Sequence, residues 1–167
     1  MKTFKSLRIS ISEFTDSDIN ASYIGWLNDT NHMKFSNQRF EKHSEKTSSA
    51  YVQTFSDTPN KFFSIKINRT LIGTLTVHFE GSEVANAGIL IGPEYSGQGY
   101  GKETWKLLIE EIAPELQIKK LLAGTLSVNY AMINVFEKSG MLFYDLLKNA
   151  EIFDDTLCDV IIYSVEI

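Results

Sequence analysis

The stretch Ala87-Gly88-Ile89-Leu90-Ile91-Gly92-Pro93-Glu94-Tyr95-Ser96-Gly97-Gln98-Gly99-Tyr100-Gly101-Lys102 runs from a strand, through a glycine-rich turn, into a helix. Val84 to Ile91 is mostly apolar without strict alternation, as expected of a central strand buried on both faces. Beyond it, Gly97, Gly99 and Gly101 occupy alternate positions. Residues without Cβ let main-chain N–H groups approach a ligand closely. Lys102 to Ala113 follows as an amphipathic helix, with Trp105, Leu108, Ile109 and Ile112 on one stripe. Its first turn adds unsatisfied N–H groups and a positive dipole end, so the segment is suited to a phosphate group. The spacing G-x-G-x-G is not the G-x-G-x-x-G of dinucleotide folds, and Gly101-Lys102-Glu103 is not the Gly-Lys-Ser/Thr of a P-loop. The plain alternative is a tight turn that holds nothing.

Working outward, Lys5 to Glu13 alternates apolar and polar residues and reads as a first strand. Thr15-Asp16-Ser17-Asp18 resembles a capping box, and Ile19, Tyr23, Trp26 and Leu27 then make a stripe ending at Asn28-Asp29. Ser44 to about Phe55 is a second helix. Phe62 to Ile67, Leu71 to Phe79 and Val84 to Ile91 are strands joined by turns. After the glycine-rich helix, closed by Pro114, come a strand at Lys120 to Val128 and a helix at Tyr130 to Ser139 that Gly140 ends. Strands Met141 to Phe153 and Leu157 to Glu166 complete an α+β order.

Composition bounds the rest. The 167 residues, 43% hydrophobic and 22% charged, fit one globular domain spanning 1–167. The formal charge of −5 argues against a general nucleic-acid binder, so bound phosphate must be held by local geometry. No apolar run approaches the ~18 residues of a membrane span or follows the N-terminus as a signal peptide would. Cys158 is the only cysteine, so no internal disulfide forms. It reads as a small buried hydrophobe, and a cytoplasmic location is expected.

The segment Ser96 to Gly101 resembles the pyrophosphate loop of the GNAT superfamily of acyl-CoA-dependent N-acyltransferases, with Ser96 where that loop carries Arg or Gln. Asn129-Tyr130-Ala131-Met132-Ile133-Asn134-Val135-Phe136-Glu137-Lys138-Ser139-Gly140-Met141 is similar to the family's second CoA element. Tyr23-Ile24-Gly25-Trp26-Leu27-Asn28-Asp29 resembles the first helix of the branch holding ribosomal-protein N-terminal and amino-sugar acetyltransferases. The resemblance runs from about Leu7 to the end. It implies a mixed, mostly antiparallel sheet of about seven strands, splayed between the fourth and fifth and flanked by about four helices. Acetyl-CoA as cosubstrate is implied, with no metal. Leu90 and Ile91 would pair with the pantetheine arm. Gln98, Gly99, Tyr100, Gly101 and Lys102 would take the pyrophosphate, and Asn129 and Asn134 the remainder. Lys106 either meets a CoA phosphate or pairs with Glu110.

The implied reaction is direct attack of an amine on the thioester. It needs a neutral amine, donors for the oxyanion and a proton for the thiolate. A main-chain N–H near Leu90 or Ile91 is the natural donor. Many relatives place a Tyr acid where this chain has Phe136, and others a Ser where it has Met132; Tyr130 and Tyr95 are the substitutes, set against ordinary aromatic packing. His78 and Glu80, with Glu83 nearby, are candidates for the base, set against a polar surface hairpin. Trp26, Asn28, Asp29, Arg39 and Phe40 are the acceptor candidates, suited to a hydroxylated sugar or nucleotide, with Trp26 also readable as core. The expected acceptor is a small-molecule primary amine, as in a nucleotide-linked amino sugar. A protein N-terminal α-amine, or a CoA-binding module without turnover, are the alternatives. Monomer and homodimer are both compatible with the sequence.

Overall fold

The computed structural model describes residues 2–167. One eight-stranded sheet carries the order β1-β2-β3-β4-β5-β6-β8-β7. Its strands are β1 (Phe4–Lys5), β2 (Ser10–Glu13), β3 (Lys61–Ile67), β4 (Thr70–Phe79), β5 (Val84–Ile91), β6 (Lys120–Leu126), β7 (Leu142–Phe153) and β8 (Thr156–Glu166). Four helices flank it: α1 (Ala21–Asn28), α2 (Glu45–Gln53), α3 (Tyr100–Leu107) and α4 (Tyr130–Lys138). The architecture is mixed α+β and all pairings but one are antiparallel. The eighth strand arises because the single expected strand Lys5 to Glu13 is a hairpin: Ser6 N–H donates to the Ile9 carbonyl at 3.0 Å and folds β1 back on β2.

Two other boundaries differ from expectation. The helix expected from Thr15 is broken: Asp16–Asp18 is a single 3-10 turn and Ile19 is extended. Asn20 then caps α1, its side chain accepting from Tyr23 N–H at 2.9 Å. Asp18 is diverted into a buried ion pair with Lys66. Pro114 does not close the third helix. A π turn at Leu108–Ile112 and a last turn at Ala113–Glu115 follow α3. Proline lacks the N–H that an i→i−4 bond would need, and a π turn absorbs that loss.

The sheet separates two apolar clusters. One face packs Trp105, Leu108, Ile112 and Phe136 over Ile65, Leu75 and Val77. The other packs Tyr23, Trp26 and Leu27 of α1 over Phe14 and Phe62. The parallel pair β5–β6 holds for only three positions, Val84↔Lys120, Ala85↔Leu121 and Asn86↔Leu122. β5 nevertheless stays paired with β4 as far as Gly73↔Ile91. The sheet is therefore splayed between β5 and β6, and half of one β5 edge is left without a partner strand.

Candidate active site

Hydrogen bonds alternate along an antiparallel pair, so one bond fixes the rest. Gly92 N–H donates to the Ile72 carbonyl at 2.8 Å, and Glu80 N–H to the Val84 carbonyl at 2.8 Å. With Thr74↔Leu90 and Thr76↔Gly88 in register, the main-chain groups of Gly88 and Leu90 are turned toward β4. Those of Ala87, Ile89 and Ile91 therefore face the splay. A strand edge with free donors and acceptors inside a protein calls for an extended ligand.

The turn beyond β5 is held by long-range braces. Gly97 and Gly99 adopt φ of +74° and +85°, and Gly99 is the N-cap of α3. Arg8 Nη1 donates to the Gln98 carbonyl at 3.0 Å and the guanidinium lies 4.5 Å from the centre of the Tyr100 ring. Arg8 also pairs with Glu103 at 2.6 Å, and the Ser6 hydroxyl donates to the same carboxylate. Behind the turn, Trp26 Nε1 donates to Glu94 at 3.0 Å. Gly92 sits so close that a Cβ there would stand 2.5 Å from the Trp26 ring. Helix α3 thus presents its N-terminal N–H groups from a fixed platform.

Partial burial raises the Glu103 pKa, but hydrogen bonds from the Ser6 hydroxyl, the Arg8 N–H and the Arg8 guanidinium outweigh it and hold the carboxyl below its ordinary value. A depressed carboxyl stabilises the fold fully above its unfolded pKa and loses that contribution as pH falls through the folded one. Glu103→Gln is therefore expected to lower the melting temperature at neutral pH. The gap from the parent should close as pH falls through the ordinary carboxylate range and below it. A melting series across pH checks this.

A cavity of about 1150 Å³ passes through the splay and joins both faces of the sheet. On one side it is lined by Gly97, Gly99, Tyr100, Gly101 and Lys102, and by Asn129, Asn134, Phe136 and Lys138. Trp105 also lines it, with a buried indole N–H that has no partner. In the middle stand residues 87–91 of β5. On the other side are Tyr23, His32, Phe35, Glu41, His43, Ser48 and Tyr51 with Thr74 and Thr76. Ser48 Oγ and His32 Nε2 are buried there without partners. Burial, and for Tyr23 also the neighbouring Tyr51 phenol, pushes both tyrosines up, so both are neutral donors.

Of the expected cofactor residues, Leu90, Ile91, Gly99, Tyr100, Gly101, Lys102, Asn129 and Asn134 line this cavity. Gln98 does not: its side chain donates to the Glu94 carbonyl at 2.8 Å. Lys106 pairs with Glu110 at 3.8 Å, one helical turn on. Asn129 caps α4 and donates to Thr125 at 2.9 Å.

The catalytic candidates fall outside the cavity lining, with one exception. Tyr130 is 75% exposed at the first position of α4 and is absent from the lining, whereas Tyr95 is part of it. His78 shares the face of Thr74 and Thr76, but its ring packs 5.3 Å from Phe55, outside the lining. Desolvation there lowers its pKa. Glu80 is exposed past the end of β4, and Glu83 accepts from Lys119 N–H through its carbonyl.

None of the five acceptor candidates lines the cavity either. Trp26 is core. Asn28 is tied to His43 through both main-chain groups, and Asp29 accepts from Asn31 and His32 N–H at 3.0 Å. The Arg39 guanidinium donates to the Ser36 and Ile152 carbonyls, and Phe40 lies under it. These residues shape the loop between α1 and α2; its other members reach the cavity. Arg8 and Glu94 were not singled out in the sequence because their partners lie 68 to 95 residues away, and His32, Glu41, His43, Ser48 and Tyr51 because nothing in the sequence marks which residues of the α1–α2 loop and of α2 line the cavity.

A family model described as an acetyltransferase (GNAT) domain matches residues 8–142. The chain belongs to the GNAT acetyltransferase family, and that membership implies acetyl-CoA-dependent N-acetyltransferase activity. No curated protein sequence matches it. Among solved structures, RimL, the ribosomal L7/L12 α-N-protein acetyltransferase in complex with coenzyme A, is similar at TM-score 0.87 and 15% identity, over 99% of this chain and 98% of that one. Spermidine N-acetyltransferase from Vibrio cholerae, in complex with CoA and spermine, gives 0.84 and 17% over 96% of each chain. The microcin C7 self-immunity acetyltransferase MccE, in complex with acetyl-CoA and AMP, gives 0.82 and 17% over 97% and 94%. Likeness at such identities concerns the fold.

Proposed function

We propose that this chain transfers the acetyl group of acetyl-CoA to the primary amine of a small cationic molecule, by direct attack inside the cavity at the splay. The observation that carries this reading is the unpaired β5 edge from the Ala87 carbonyl through Ile89 to Ile91, opening into the same cavity as the glycine turn and the acceptor wall. The donor set fits acetyl-CoA. An extended arm finds main-chain partners on β5, a diphosphate finds the first amides of α3, and Lys102 and Lys138 supply positive charge at that end. Acetyl-CoA supplies the acetyl thioester. The Ile91 N–H polarises the acetyl carbonyl and stabilises the oxyanion. The β5 edge and the helix N-terminus set the geometry of attack.

The acceptor side supports a cationic amine. Glu41 is the carboxylate among the residues lining that side, which also include His32, His43, Phe35, Tyr23 and Tyr51. No Lys or Arg lines that side, so the two phosphates of a nucleotide-linked sugar find no partner there. That argues against the amino-sugar expectation. Of the two imidazoles, His43 is engaged through Nε2 with the Gln38 carbonyl at 2.9 Å, so His32, whose buried Nε2 has no partner among the described residues, is our candidate to take the proton the amine sheds.

The test is a thiol-release assay with acetyl-CoA against polyamines, simple amines, N-terminal peptides and sugar nucleotides. Turnover should be fastest on small amines with a second positive charge. Preference for peptides would move the reading to a protein α-amine, and tight CoA binding without turnover on any amine would leave a binding module. Glu41→Gln is expected to raise the amine KM by about 10-fold, which corresponds to ~1.4 kcal/mol, with the acetyl-CoA KM unchanged.

A further inference from the structure

One peptide unit in the glycine turn decides, by its direction, whether the turn attracts an anion. The peptide between Gln98 and Gly99 lies between two fixed points. On one side the Gln98 side chain is tied back to the Glu94 carbonyl at 2.8 Å. On the other the Gly99 carbonyl accepts from Glu103 N–H at 3.1 Å. Between them only ψ of Gln98 and φ of Gly99 need change for the peptide to turn over, and glycine crosses φ space at little cost. A trans peptide points its N–H opposite to its carbonyl. With the carbonyl outward, the Gly99 N–H joins the amides that attract a diphosphate. With the carbonyl inward, a partial negative charge meets the phosphates instead.

The group that fixes the direction comes from outside the turn. Arg8, between β1 and β2, donates from Nη1 to the Gln98 carbonyl at 3.0 Å. Among the described residues that carbonyl has no other donor. The guanidinium cannot follow the carbonyl if the peptide turns, because two further contacts hold it. Its Nε donates to Glu103 at 2.6 Å, and its plane lies 4.5 Å from the centre of the Tyr100 ring. Gly97, Gly99 and Gly101 line the cavity, whereas Arg8 does not.

We propose that Arg8 is a positioning residue for acetyl-CoA: by holding the Gln98 carbonyl outside the cavity, it keeps the Gly99 N–H turned toward the diphosphate. It acts through the peptide and not on the ligand. The proposal rests on the acetyl-CoA reading given above and assigns part of the cosubstrate's affinity to a side chain about ninety residues from the turn.

Two variants and two acyl donors test it. Arg8→Met removes the bond to the carbonyl. Arg8→Lys keeps a positive charge for Glu103, and with it the fold, but lacks the planar fork that spans carboxylate, carbonyl and ring together. Both are expected to raise the acetyl-CoA KM about 10- to 100-fold, the range lost with a hydrogen bond to a charged group. The kcat at saturation should stay within about threefold of the parent. S-acetyl-pantetheine carries the same thioester without the diphosphate, and its kcat/KM should stay within about twofold of the parent. General damage to the structure would lower both donors alike, so a parallel loss on S-acetyl-pantetheine overturns the proposal. So does an acetyl-CoA KM within about twofold of the parent in both variants, with circular dichroism unchanged. A rise in Arg8→Met that Arg8→Lys cancels traces the effect to charge alone and also overturns it. Calorimetric titration with CoA reads the same loss as a rise in Kd and needs no turnover. A parent inactive on every amine therefore overturns the function proposed above, and the CoA Kd then decides on Arg8 by the same margins.

Discussion

Replacing Ile91 by proline is expected to lower kcat by about 10²–10³-fold, the effect of deleting one oxyanion donor. The sheet should survive. Proline removes a ladder bond when placed at a position whose N–H points to a neighbouring strand. At Ile91 the N–H points into the splay, since the neighbouring Gly92 N–H is the one bonded to β4. The substitution thus deletes a donor that no strand uses. Leu90→Pro is the matched control: the same alternation turns the Leu90 N–H to Thr74, so that variant should melt far lower or fail to fold. Ile91→Val corrects for the lost side-chain volume. CoA affinity by calorimetry should fall much less than kcat for Ile91→Pro, because a transition-state interaction is what disappears. A kcat within twofold of the parent, with the fold intact, would remove the Ile91 amide from the oxyanion role.

How legible this site was depended on how far apart its parts lie in sequence. The β5 strand, the glycine turn and α3 are contiguous, and spacing alone conveyed their geometry. Gly140 likewise gave itself away, with φ of +83° after α4. The β1–β2 hairpin was hidden because Leu7, Ile9 and Ile11 keep one alternation across the bend, although Leu7 ends up on its exposed tip. His78 shows the limit of alternation more sharply. Alternation puts it on the face of Thr74 and Thr76, but its exposed ring packs on Phe55, from beyond α2, and is not part of the cavity lining. The acceptor wall was the least legible part. Trp26 drew attention as an aromatic platform, yet Glu94 and Gly92 claim its ring and its N–H as a strut. The loop from Asp29 to His43 carries no periodicity, since Asx turns and 3-10 turns build it. Which of its side chains face the cavity follows from Asn28 clasping His43 and from Arg39 reaching β7. Arg8 gave no signal at all: it looked like the polar face of a strand, and its partners lie some ninety residues on.

Gly99→Val is expected to raise the acetyl-CoA KM by about 100-fold while kcat at saturation falls far less. Two costs combine. A residue with a Cβ spends about 1–2 kcal/mol in the left-handed region, and a β-branched one more. Gly99 sits there at φ of +85°, as the cap that aims the α3 amides. The branched side chain would also stand against the brace that fixes the Gln98 carbonyl, its Cβ already 3.4 Å from Arg8 Nη2, in contact, before the two methyl groups are placed. Relief comes from turning the 97–99 backbone, which swings the N–H groups off the diphosphate. Each ~1.4 kcal/mol lost is tenfold in affinity, so two such increments give the stated size. The reacting carbonyl lies at the other end of the arm, against Ile91, and its geometry is restored once the site is filled. This split separates the two variants: Gly99→Val acts on acetyl-CoA KM and calorimetric CoA affinity, Ile91→Pro on kcat. Gly97→Val should behave alike but more mildly, because nothing lies within 4 Å of a Cβ there. An acetyl-CoA KM that stays at the parent value in Gly99→Val would detach the glycine turn from the cosubstrate, and the reading of the whole cavity with it.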